Sequence, residues 1–423
     1  MEIKTIDKRT FKIHFIKTDK FKNVNIRISL RNKINNNEIT KRNFLTSLLT
    51  YSTKKYKTKR ELMIKSQELY GVNISDRNMR LGNYFLSIFN LNALEEKYTE
   101  KGNLEECVKL LSEVIFNPNV EMQKFDNDSF DIVKKMIEGE IKSFKENTDA
   151  YSLSRMYEEM DKDAPYAYRL VGSLEDLKKI NSTNLYTYYK DFIRNSVVDV
   201  YVIGNFDFDT MEKVITDNFK FYKLNSEDNP YLPITKARNK VKKVIETDDL
   251  SQSKLAIGCK YSKLDEFDLK YSLTMYNILL GVSTDSKLFR IVREKNSLAY
   301  YVYSRASKLD NLLLVISGIE GKNFNKTVKL VEELMNDMKK GNFTEEDMNK
   351  ASTFFIASLE QLEDSEYEIL ENYVAMQILG IDDIETRKKK IKEVKKEDII
   401  RVAKKIKIDT IYLLKGAREN EED

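Results

Sequence analysis

The feature that most constrains this chain is a repeated order of elements. The amphipathic stretch TNLYTYYKDF leads into the near-continuous apolar run VVDVYVIGN, which ends at Gly204. Near the other end, KKEDIIRVAKKI leads into DTIYLLKGA in the same helix-then-strand order. Runs of this kind read as strands. The segments before each run also correspond. In the first half, TFKIHFIKTDKF and NVNIRISLRN alternate as strands. A helix follows from Ile39 to about Tyr51, and another from about Thr58, stopped by Gly71. NISDRNMRLGNYFLSIFNL alternates as two more strands. LEECVKLLSEVIF is a periodic helix halted at Asn117-Pro118, and a longer helix is expected from about Asp126 to Asn147. In the second half, SKLAIGCKYS is a strand, and DLKYSLTMYNILLGV and DSKLFRIVRE are helices. LAYYVYSRAS and NLLLVISGIE form a hairpin through Lys308–Asn311. Thr344, with Asp347 three residues on, reads as a helix cap.

Between the halves lies KLNSEDNPYLPITKARN, which has no periodicity and carries Pro230 and Pro233. It reads as a linker. The expected division is residues 1–222, a linker at 223–239, and residues 240–423. The expected fold class is α+β, in two homologous halves, each a mixed or antiparallel sheet covered by helices on one face.

Composition then limits the chemistry. There is one histidine, His14, and no tryptophan. A catalytic zinc site needs several histidines or thiolates, and Ser-His-Asp or Cys-His catalysis needs a histidine beside its nucleophile. His14 lies in the alternating FKIHFIK and reads as a strand residue. Cys107 and Cys259 are far apart, lack metal-type spacing and read as buried thiols. With 72 basic and 68 acidic residues the net charge is +4, so no nucleic-acid partner is expected. The basic run TRKKKIKEVKKED is interleaved with Ile391 and Val394 and reads as a solvated helix face. MEIKTIDKRTFKIHFIKTDK is charged throughout and lacks the apolar core of a secretory signal. No membrane association and a cytoplasmic location are expected. The acidic end, ARENEED, reads as frayed.

One stretch carries a resemblance. LLGVSTDSKLFRIVREKNSLAYYVYS is similar to the C-terminal half of the pitrilysin/insulinase-like zinc peptidases, the inverzincins. The match is a small-residue turn, then Ser286, Leu288 and Phe289, then Arg293-Glu294-Lys295 and Leu298-Ala299-Tyr300. VVDVYVIGNFD, TEEDMNKA and KKEDIIRVAKK resemble further family elements, so the likeness covers nearly the whole chain. It implies a duplicated fold that forms half of a peptidase chamber.

The resemblance also implies H-x-x-E-H on the first helix of the first half, with two zinc-binding histidines and a glutamate that activates water. Here that helix reads N-F-L-T-S. Asn43 stands for the first histidine, Thr46 for the general base and Ser47 for the second histidine. Glu140, or alternatively Glu138, corresponds to the third ligand. Amide and hydroxyl groups are poor zinc ligands, and threonine is no carboxylate base. No metal and no cofactor are therefore expected in this chain. In active relatives an arginine and a tyrosine reach the substrate carbonyl, and the matching residues are Arg293 and Tyr300. The chain thus resembles the inactive-type subunits of two-chain members. The implied partners are a zinc-bearing homologous subunit and an unfolded peptide, with a second copy of this chain as an alternative. The competing expectation is a catalytically silent peptide-binding or scaffold protein, in which Arg293 and Tyr300 are relics of the fold. On the bland reading of the residues themselves, Arg293 pairs with a nearby carboxylate and Tyr300 packs in the core. A metal-independent hydrolase using Ser47 has no histidine to activate it.

Overall fold

The computed structural model describes residues 1–223 and 229–417. Part of the expected linker and all but the first residue of ARENEED lie outside them. The chain divides into two units: residues 1–144 with 169–229, and residues 145–168 with 230–423.

The first unit is built on β1 (Glu2–Asp7), β2 (Lys12–Lys17), β3 (Asn23–Lys33), β4 (Asn73–Leu81), β5 (Tyr84–Leu94) and, after a small hairpin β6 (Val120–Glu121) and β7 (Lys124–Phe125), β8 (Val197–Gly204). They lie in the order β1-β2-β8-β3-β5-β4, with only β2 and β8 parallel. Helices α1 (Ile39–Leu49), α2 (Lys59–Glu68), α3 (Asn103–Phe116) and α4 (Asn127–Ser143) pack on one face, with α6 (Leu174–Lys179), α7 (Ser182–Asn195) and α8 (Phe208–Asn218). Alternate strand residues such as Ile26, Ile28, Val200 and Val202 face this core. The opposite positions explain the single histidine. His14 lies between Thr5 Oγ1 at 3.1 Å and Asp199 Oδ1 at 3.2 Å, and its ring stacks on Tyr201 at 4.6 Å. It is 1% exposed, a structural strand residue.

The second unit repeats the topology. Its strands are β9 (Lys242–Asp248), β10 (Ser253–Tyr261), β11 (Ala299–Ser307), β12 (Leu312–Ile319) and β13 (Ile406–Gly416). The order β9-β13-β10-β12-β11 matches β2-β8-β3-β5-β4, including the one parallel pair, β9 with β13. In each unit the last strand inserts between two early ones, β8 between β2 and β3 and β13 between β9 and β10, so both of its edges are paired.

Residues 145–168 depart from the sequence division, which ran the first half to 222. The long helix expected to reach Asn147 ends at Ser143. After one turn of 3₁₀ helix, the Asn147 side chain caps α5 (Thr148–Asp161) by accepting the Ala150 N–H. Helix α5 then packs in the second unit, on the sheet face opposite the other helices. Met156, Tyr157 and Met160 cover Ala256, Leu314, Ile316, Tyr412 and Leu414. Gly258 makes this approach possible, because a Cβ there would lie 2.7 Å from Met156 Sδ. The run LLLVISGI is buried at every position because Leu313 and Val315 face one core and Leu312, Leu314 and Ile316 the other. The expected linker is also docked from Pro230 onward. Leu232 is buried and its N–H donates to the Leu309 carbonyl, while Arg238 pairs with the buried Asp409. Both cysteines are buried free thiols, and burial pushes Cys107 up to about 11 and Cys259 up to about 12.

Candidate functional site

Asn43, Thr46 and Ser47 lie along α1, which the 2%-exposed Arg42 fixes in place. Arg42 donates to the Phe85 carbonyl and the Tyr188 hydroxyl, and its guanidinium lies over the Phe192 ring at 4.9 Å. The segment around Gly172 closes on the same helix. Gly172 has φ +89°, and a Cβ there would sit 2.6 Å from Thr40 Oγ1. The Asn43 amide donates to the Leu170 carbonyl at 2.7 Å.

Thr46, at the position of the family's general base, is fully buried. Its hydroxyl accepts from Asn78 Nδ2 at 2.8 Å, and Asn78 Oδ1 accepts from Ser87 Oγ at 2.6 Å. Asn78 and Ser87 are cross-strand partners on β4 and β5. A side chain that would activate water in a peptidase is therefore an anchor between helix and sheet. The Ser47 hydroxyl is half-buried and donates to no acceptor among the described residues.

Glu140 is an exposed residue of α4, and α4 meets α1 through Phe44 and Phe130, with ring centres 4.7 Å apart. Its carboxyl is pushed up, first by partial desolvation and then by the negative charge of Asp76. Asp76 accepts from Thr50 Oγ1 at 2.8 Å. No cation lies within ion-pair distance of Glu140 among the described residues. Glu138 instead pairs with Lys142 at 2.5 Å, which lowers its carboxyl. One amide, two hydroxyls and a carboxylate do not make a zinc site, and two of those groups are engaged by the fold. Among the described residues no three His, Cys, Asp or Glu side chains gather as a metal would require.

The other residues lie in the second unit, at the joint between the helix Leu288–Lys295 and β11. The joint is a helix stop with a left-handed residue. Ser297 has φ +48°, the Leu298 N–H donates to Val292 O at 3.0 Å, and the Ser297 N–H donates to Arg293 O at 3.1 Å. Asn296 Nδ2 donates to Ile291 O at 2.8 Å. Leu288 and Leu298 anchor the turn in the core. Gly281 lets β11 pass, since a Cβ there would lie 2.7 Å from the Ser304 nitrogen.

Arg293 is therefore held at the end of a helix, over the Phe289 ring at 4.7 Å and 3.8 Å from Glu294 Oε1. Tyr300 falls at a β-bulge, where the pairing of β11 with β12 shifts between Ala299 and Tyr301. It is 60% exposed, and its phenol has no partner among the described residues. The expectation that Arg293 meets a carboxylate is met loosely, by its exposed neighbour. The expectation that Tyr300 packs in the core is not met. A partly open pocket of about 170 Å³, lined by residues including Ile278, Ser286, Arg290 and Phe343, includes neither Arg293 nor Tyr300.

Sequence reasoning missed the partners that come from afar: Asn78 and Ser87 for Thr46, and Asp149 and Lys254 around Tyr301. No local pattern marks such pairs.

Comparisons with known proteins agree with this layout. The family described as "Peptidase M16 inactive domain" matches residues 179–354. A Bacillus subtilis (strain 168) protein named "Probable inactive metalloprotease YmfF" is 33% identical over 412 residues, 95% of each chain. A crystal structure of a conserved protein from Enterococcus faecalis V583 superposes with a TM-score of 0.89 at 23% identity over 99% of each chain. A structure of a peptidase M16 inactive domain from Pseudomonas fluorescens gives a TM-score of 0.79 at 16% identity, again over 99% of each chain. At these identities the two structures bear on fold alone.

Proposed function

Because this chain belongs to the peptidase M16 family, among its inactive-type members, we propose that it is the non-catalytic subunit of a heterodimeric zinc peptidase. Its partner is a zinc-bearing homologue, its substrate an unfolded peptide and its location the cytoplasm. The partner's zinc supplies the activated water. This chain completes the chamber and offers Arg293 and Tyr300 to the peptide. A guanidinium stays charged at any working pH and stabilises negative charge developing on a carbonyl oxygen, and a phenol donates a hydrogen bond to the same oxygen.

The observation that supports this reading most is the contrast between the two candidate sites. At the zinc-motif positions, Asn43 and Thr46 are engaged by the fold. At the joint before β11, Tyr300 is exposed and its phenol has no partner among the described residues, and Arg293 meets the Phe289 ring and its exposed neighbour Glu294. A tyrosine kept for packing would be expected inside.

The test is hydrolysis of a quenched peptide by this chain with zinc, by the zinc-bearing homologue, and by the mixture. Silence of this chain alone and turnover that appears on mixing are expected. Zinc-dependent turnover by the isolated chain would overturn the assignment of Asn43, Thr46 and Ser47 as non-ligands. Failure of the two chains to associate would favour a scaffold role, or pairing with a second copy.

A further inference from the structure

We propose that Tyr301 is a positioning residue: clamped over Gly318 by Asp149, Lys254 and Gln252, it fixes the register of the bulge and so aims Tyr300 outward. Its bearing on chemistry rests on the role proposed above for Tyr300, but the register itself does not.

The sequence leaves this register open. Two tyrosines stand side by side at the start of an edge strand, and a bulge sets two residues against one. Because strand side chains alternate, a slip of one residue would exchange the faces of Tyr300 and Tyr301. Nothing in the pair itself decides between the two arrangements, so the decision comes from what surrounds them.

The surroundings favour Tyr301 as the inner ring. It pairs with Gly318, where a Cβ would lie 2.5 Å from Tyr301 Cε1 and 2.7 Å from Gln252 Oε1. Only glycine leaves that space. The Tyr301 phenol donates to Asp149 in the first turn of α5. Lys254 Nζ reaches Asp149 Oδ2 at 3.2 Å, Gln252 Oε1 at 2.9 Å and the Tyr301 hydroxyl at 3.4 Å, and lies 5.2 Å from the ring centre. Lys254 is 9% exposed, so this ammonium is held and not merely solvated. The Ser317 hydroxyl donates to the Tyr301 carbonyl at 2.8 Å. Groups from α5, β10 with the residue before it, and β12 thus converge on Tyr301, and none converges on Tyr300.

The experiment places 3-fluorotyrosine at position 300 of the full chain and reads its ¹⁹F resonance, with thermal melting as a folding control. The parent is expected to show one resonance. Asp149→Ala and the ring-preserving Tyr301→Phe are expected to melt cooperatively yet show a second Tyr300 resonance, and Asp149→Glu should restore most of the single line. In the mixture with the zinc-bearing homologue, Asp149→Ala should lower kcat/KM by about 10-fold, as small misplacements of a reacting group do. It should lower nothing further once Tyr300 is already phenylalanine. A single unchanged resonance in both Asp149→Ala and Tyr301→Phe overturns the clamp. A split resonance with turnover indifferent to Tyr300→Phe upholds the clamp and removes the peptidase role instead.

Discussion

At the scale of single residues, the degenerate zinc motif has been reused unevenly, and the three positions should respond differently to mutation. Thr46→Val removes the acceptor for the Asn78 amide inside the first unit. A buried donor left unpaired costs about 1–3 kcal/mol, so urea unfolding should show a loss of that order. Ser47→Ala should stay within about 0.5 kcal/mol of the parent, because the hydroxyl donates to no acceptor among the described residues. Glu140 allows a test of sign. Its folded pKa is raised, by desolvation first and Asp76 second. The folded state therefore binds protons more readily than the unfolded chain, and the group opposes folding increasingly as pH rises above its unfolded value of about 4.3. Glu140→Gln should melt higher than the parent at pH 7, and the difference should vanish below about pH 4. A difference that persists in acid would contradict the stated cause. These positions could be located from sequence, because motif spacing is local. Their new partners could not, because Asn78 and Ser87 reach Thr46 only through the register of β4 with β5.

At the scale of elements, the joint before β11 is set by two small features. Ser297 occupies a left-handed position that glycine fills without strain. Ser297→Gly should leave the fold intact and stabilise it by about 0.5–1 kcal/mol, measured by chemical unfolding. Gly281→Ala should do the opposite. A Cβ at 2.7 Å from the Ser304 backbone cannot be relieved by a rotamer change, and overpacking of this kind costs about 1–3 kcal/mol. Periodicity found most helices and strands, including the hairpin through Lys308–Asn311 and the Thr344–Asp347 cap. It ended the long helix at about Asn147 but did not show that Asn147 caps the next one, α5. An asparagine in a polar stretch serves equally as a helix residue or a cap, and only the change of packing partner decides. Periodicity likewise shows that α5 has an apolar face, but not which sheet that face covers.

At the scale of the whole molecule, the repeat of strand order, including the single parallel pair in each unit, agrees with the family that the 33%-identical relative shows. It was legible because each half ends in an amphipathic helix followed by a strand with an apolar stretch, VVDVYVIG in the first and TIYLL in the second. Neither unit gathers zinc ligands among the described residues, yet the second presents an arginine and a tyrosine outward. The most direct measurement is kcat/KM of the mixed pair, with the zinc-bearing homologue saturated by parent, Arg293→Ala or Tyr300→Phe. Removing one donor to a developing oxyanion typically lowers the rate by about 100-fold or more. A loss of that size in both variants, with association unchanged, is the expected result. Turnover equal to the parent in both would contradict it and leave this chain a scaffold that bears the fold of a peptidase without a part in its chemistry.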